Sequence, residues 1–123
     1  MDFTHEELKI LQAAINRYGE ENQCDVAIEE MAELTKALCK CKRLENAYPN
    51  ITSDLLACSG VLARNVDFEK AVESLKGDIA EEIADVYIML EQLTMIFDCK
   101  QRVSAIAREK IRRLKARIDN GDS

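Results

Sequence analysis

Two stretches of this chain place an apolar residue at every third or fourth position and carry the same acidic phrase beside it. Few folds other than a bundle of long helices can use both. In the first, Ala27, Met31, Leu34, Leu38 and Cys41 are spaced four, three, four and three; in the second, Ile79, Ile83, Val86, Leu90, Leu93 and Phe97 are spaced four, three, four, three and four. That period belongs to a helix and not to a strand. The acidic phrases are Glu29-Glu30-Met31-Ala32-Glu33-Leu34 and Glu81-Glu82-Ile83-Ala84-Asp85-Val86. Each sets two carboxylates three residues apart on one helical surface, where like charges repel by roughly 0.2–0.5 kcal/mol per pair. A divalent cation held between two helices would remove that repulsion in both copies at once, which points towards chemistry on phosphates.

Composition supports the helical reading. Among 123 residues there are 4 Gly, 1 Pro and 5% aromatic residues against 33% charged ones, the mix of an all-α protein rather than a sandwich or barrel. The length suits a single domain over 1–123 with a core of limited size. A net charge of −6 argues against a general affinity for nucleic acid, which needs basic surface. No apolar run approaches the ~18–20 residues of a bilayer span, so no membrane partner is expected. Five cysteines, at 24, 39, 41, 58 and 99, cannot all pair, and no secretory-type apolar segment opens the chain. A reducing cytoplasm is the expected setting. Cys39-Lys40-Cys41 has no second cysteine pair to complete it, and His5 is the one histidine. Zinc is therefore not expected, and most thiols read as small buried hydrophobes.

Thr4-His5-Glu6-Glu7 is a capping-box pattern that starts a first helix, with Gly19 as its end and His5 facing solvent. A second helix is expected from near Asp25 to about Asn46, stopped by Pro49 and Asn50, and a short third over about 53–63. The next runs from Asp67 to about Asp98 with a possible break at Gly77-Asp78, and the last spans about 101–118. The sum is an all-α antiparallel bundle of about four to five helices.

At 100° per residue, with Ala27, Met31, Leu34 and Leu38 at the centre of the buried stripe, Glu30 lies about 60° and Glu33 about 120° to one side. The same projection on Ile79, Ile83, Val86 and Leu90 sets Glu82 at about 60° and Asp85 at about 120° in the same sense. Glu29 and Glu81 fall on the far side, towards solvent. Ala32 and Ala84 offer small residues at which two such helices approach closely. Either phrase alone reads as an ordinary charged flank; their recurrence is what favours a shared ion. All-oxygen ligation without histidine favours magnesium, with manganese also suitable, over zinc or iron. It also excludes the Glu-x-x-His chemistry of di-iron bundles.

These phrases resemble the paired motifs of the MazG-like all-α nucleoside triphosphate pyrophosphohydrolases, a group related to the dimeric dUTPases and the dCTP pyrophosphatases. The similarity covers about 8–45 and 78–118 and rests on Glu29-Glu30-Met31-Ala32-Glu33 and Glu82-Ile83-Ala84-Asp85. It implies magnesium binding by Glu30, Glu33, Glu82 and Asp85, and hydrolysis of a nucleoside triphosphate between its α and β phosphates. It also implies assembly as a homodimer or homotetramer. The 48 residues between Glu33 and Glu82 exceed the compact pattern, so the segment over about 45–78 looks like an insertion that bears on substrate choice.

Glu33 is the candidate to orient the attacking water. For the phosphates, the last helix supplies Arg108, Lys110, Arg112, Arg113, Lys115 and Arg117, of which Lys110 resembles a recurrent lysine of the related enzymes. Lys36 stays on the acidic edge, where an ion pair with Glu33 is its alternative role. Tyr87 is the first aromatic to test for stacking on a base, with core packing as its other reading. A competing function is a non-catalytic helical bundle that binds a partner or a nucleotide without turnover.

Overall fold

A computed structural model describes residues 2–47 and 66–121, with the side chains of Glu45, Ala47 and Val66 to Phe68 left aside. The described residues form four helices and no strand: α1 over His5–Tyr18, α2 over Glu20–Ala47, α3 over Val66–Ile96 and α4 over Lys100–Asp119. The expected all-α bundle is what the chain forms. Both the short helix expected over 53–63 and the stop at Pro49 and Asn50 lie outside the described residues. None of these helices is long and apolar enough to cross a membrane.

The capping box closes α1 as the sequence predicts. Thr4 Oγ1 accepts the Glu7 N–H at 3.1 Å, and Glu7 Oε1 accepts the Thr4 N–H at 2.9 Å. The second bond favours the ionised form and holds the Glu7 carboxyl below its usual range. Gly19 ends α1 at φ +91°, a conformation open to glycine and strained for other residues. The chain then re-enters a helix at once, with Gln23 N–H bonding to the Gly19 carbonyl at 3.0 Å. α2 thus begins at Glu20 rather than near Asp25. Glu20 and Glu21 suit the positive end of a helix dipole, and Gln23 and Ala27 are buried, so this extra turn is packed.

Three pairings show that α2 and α3 run antiparallel as the main helix pair: Gln23 with Gln92, Glu30 with Glu82 and Asp85, and Cys41 with Leu75. α3 continues through Gly77 without the anticipated break. A mid-helix glycine costs about 1 kcal/mol, and packing on either side offsets it: Leu75, 2% exposed, and Ile79 both belong to the cluster around Cys41, with Leu44 and Val72. The buried Cys41 fits the small-hydrophobe reading; Cys24 and Cys99 are half-buried and Cys39 exposed.

Both helices of the pair are rotated from the expected orientation. The residues of α2 that turn inward are Gln23, Ala27, Glu30, Leu34, Ala37, Cys41 and Leu44, a stripe centred about 60° from the expected one. On α3 they are Leu75, Ile79, Glu82, Val86, Met89 and Leu93, displaced by a similar angle. Met31, Leu38, Ile83 and Leu90, expected at the centre of the buried stripes, are instead 40–51% exposed. Ala32 and Ala84 are exposed as well, so they do not set the helix spacing. Ala27, Ala37 and Cys41 turn inward instead, and small side chains along a contact line let two helices approach closely.

Candidate functional site

The rotation brings acid to the seam. With Glu30 and Glu82 near the centre of the inward stripes, and Asp85 one turn beyond Glu82, all three carboxylates are half-buried between α2 and α3. Each offers an oxygen, and these oxygens lie within 4.8 Å of one another. Among the described residues this is the one group of three or more such ligands so placed. Two oxygens on one magnesium are at most about 4.2 Å apart at a metal–oxygen distance near 2.1 Å, so small rotamer changes would close the triad on an ion. The donor set is hard, anionic and free of nitrogen and sulfur, which fits magnesium or manganese.

Electrostatics at the triad follow from burial and from the acidic groups around it. Burial pushes the Glu30 carboxyl above its ordinary range, and the charges of Asp85, Glu82, Glu33 and Glu29 push it further. Glu82 is raised for the same reasons, by burial first and then by Asp85, Glu33, Glu81 and Asp78. No described ion pair joins a basic side chain to any of these groups: the pairs are Lys9–Glu6, Lys100–Glu91, Arg112–Glu109, Arg113–Glu109 and Lys115–Asp119.

The remaining expected site residues sort by position. Glu33 is exposed and outside the close triad, yet near enough to act on both raised carboxyls. Glu29 and Glu81 are exposed, as the helical projection placed them. Lys36 is exposed and makes no ion pair with Glu33 among the described residues. Lys110 projects from α4 into solvent. Of the basic cluster on that helix, Arg112 and Arg113 bind Glu109 and Lys115 binds Asp119, which leaves Arg108, Lys110 and Arg117 without a described ion-pair partner. Tyr87 is taken by packing. Its ring lies 5.0 Å from that of Phe3 and its hydroxyl accepts the Asp2 N–H at 2.8 Å; five residues from Glu82, it stands about 140° round the helix from it.

A second polar group, unforeseen in the sequence, lies towards the α2 N-terminus. Gln23 and Gln92, 6% and 3% exposed, share a hydrogen bond of 2.6 Å. Glu91, 1% exposed, accepts from Lys100 Nζ at 2.8 Å and faces Thr94 Oγ1 at 3.3 Å. The signal for Gln23 was its place four residues before Ala27 on the stripe that turns inward.

Compared with protein-family models, curated proteins and solved structures, the chain finds no significant match.

Proposed function

We propose that this chain is a magnesium-dependent hydrolase that cleaves a nucleoside triphosphate to a nucleoside monophosphate and pyrophosphate, acting as a homodimer or homotetramer. The observation that carries the reading is the convergence of Glu30, Glu82 and Asp85 from two helices with no described basic side chain to neutralise them. The resemblance of both acidic phrases to those of the MazG-like family supports the reaction and the substrate class.

In this reading Glu30, Glu82 and Asp85 hold the cation, and Glu33, on the exposed rim, supplies an outer ligand or orients water. Bound magnesium would neutralise the triphosphate and lower the pKa of a coordinated water from ~15.7. Attack at the α-phosphorus forms a P–O bond to the water oxygen and breaks the bond to the bridging oxygen, so pyrophosphate leaves. A carboxylate beside the water takes its proton, and Glu33 on the rim is the candidate for that role. Lys110 on α4 and Lys36 on α2 are the candidates to meet the phosphates opposite the metal.

The test is pyrophosphate release from a panel of canonical and modified ribo- and deoxynucleoside triphosphates, with magnesium and with chelator. Metal-dependent turnover on at least one member is expected. Binding without turnover on every member would reject hydrolysis in favour of a non-catalytic nucleotide-binding bundle.

A further inference from the structure

The turn from α3 into α4 is held by side chains as well as backbone. α3 ends in a Schellman motif: the Cys99 N–H bonds the Thr94 carbonyl at 3.0 Å, the Asp98 N–H bonds the Met95 carbonyl at 3.3 Å, and Asp98 sits at φ +50°. Aspartate is among the few side chains that tolerate this left-handed region. α4 then starts without support of its own, since Cys99 makes no side-chain cap and the first turn holds no acid. Lys100 in that turn opposes the helix dipole. Its counter-charge lies across the turn in Glu91 of α3, 1% exposed, which accepts from Lys100 Nζ at 2.8 Å. Thr94 Oγ1 donates to the Glu91 carbonyl at 2.7 Å and lies 3.3 Å from its carboxylate. Beyond the turn, α4 buries none of its 20 residues, and its other described ion pairs are internal to it. No buried contact along α4 sets the direction in which it leaves α3.

We propose that Glu91, Thr94 and Lys100 are positioning residues: with the turn at Asp98 they form an elbow that aims α4, and with it Arg108, Lys110 and Arg117. α3 has no basic residue in its last turn, so the cation for Glu91 comes from α4. An ion pair that spans two helices constrains the angle between them, which a pair within one helix does not. The elbow stands on bond geometry alone, whereas the use of Lys110 on phosphates rests on the proposed function, so the two can fail separately.

The test joins distance measurement to hydrogen exchange on the full chain. Spin labels at the exposed Ala32 of α2 and Ala116 of α4, in labelled chains diluted with unlabelled ones, should give one narrow distance distribution in the wild type. Lys100→Met should broaden it, while a label pair between α2 and α3 keeps its distance. Exchange at the Cys99 amide should quicken roughly five- to a hundredfold, the range expected when a buried charge loses its hydrogen-bonded partner. Lys100→Arg should restore both readouts. Asp98→Pro opens the elbow without touching Glu91, by fixing φ at about −65° and removing the N–H bonded to Met95, and serves if Lys100→Met fails to fold. With nucleoside triphosphate, both opened variants should raise KM roughly tenfold, as for loss of a hydrogen bond to a charged group, with kcat changed less because the triad is intact. A broad wild-type distribution, unchanged distances and exchange in both variants, or loosening of the α2–α3 pair to the same degree would overturn the elbow. A KM unmoved by a broadened α4 would overturn its positioning role, and absence of turnover would reject the chemistry and leave the elbow to be decided by distance and exchange.

Discussion

The α2–α3 pair encloses polar groups in two places and treats them in opposite ways. Towards the α2 N-terminus, Gln23 meets Gln92 at 2.6 Å, and Glu91, at 1% exposure, meets Lys100 at 2.8 Å. Half-way along, Glu30, Glu82 and Asp85 meet, among the described residues, one another and further acid with no basic partner. A buried polar group that is paired settles its own desolvation and needs no ligand. One whose nearest neighbours share its sign carries a standing penalty that an ion could lift. Burial of polar side chains alone would have marked the Gln–Gln end as the site; pairing reverses that ranking.

The sharpest way to break the contrast is at the triad. Glu30→Gln and Asp85→Asn, each nearly isosteric, should lower magnesium-dependent pyrophosphate release by more than about a hundredfold, beyond the usual effect of losing a supporting group around a metal. Circular dichroism should show unchanged helicity in both. Activity retained in both variants would reject the triad as the reacting centre.

At the paired end the same kind of substitution should strike stability instead. Gln23→Leu or Gln92→Leu alone leaves one buried amide unpartnered, and urea denaturation should show a loss of about 1–3 kcal/mol. The double variant should recover much of it, because both partners become apolar together. A double variant as unstable as the sum of the single ones would mean that the amide pair does not act as a unit. Lys100→Met should cost a similar amount, about 1–3 kcal/mol, by leaving the Glu91 carboxylate without its cation; the exposure of Lys100, 51%, lets water replace part of the interaction.

How much of this was legible in the sequence depends on the kind of signal. Helix ends marked by local chemistry were: the Thr4–Glu7 box and Gly19 act through bonds within a few residues. The inward face of α2 was not. Its apolar band is wide enough to hold two stripes, one through Ala27, Leu34, Ala37 and Cys41 and another through Ala27, Met31, Leu34 and Leu38. The eye favours the bulkier set. The stripe that turns inward is the one richer in small residues, which allow closer approach, and it carries Glu30 from flank to seam. The acidic partners were found by recurrence, whereas the Gln23–Gln92 pair, 69 residues apart, has no local signature at all. Tyr87 illustrates the limit from the other side: its position near Glu82 in sequence says nothing of the Phe3 ring that occupies it.

The smallest effect separates the two places by their response to pH. Because Glu30 and Glu82 are raised above their ordinary values in the folded chain, the folded state holds protons that the unfolded state has already released. Their repulsion is therefore fully present above the raised values and fades as pH falls through them towards the ordinary carboxylate range. Glu7, lowered by its capping bonds, works the other way and only at more acid pH. Between pH 7 and pH 5, then, metal-free protein should gain thermal stability from the triad. Magnesium at pH 7 should produce a comparable gain, and Glu30→Gln should give a constitutive increase of a few tenths of a kcal/mol, about the value of one or two relieved like-charge pairs. The variant should also lose most of both responses. Thermal melts at the two pH values, with and without magnesium, would read all four quantities, and a wild-type chain indifferent to magnesium at pH 7 would place the triad with the paired end, as structure rather than site.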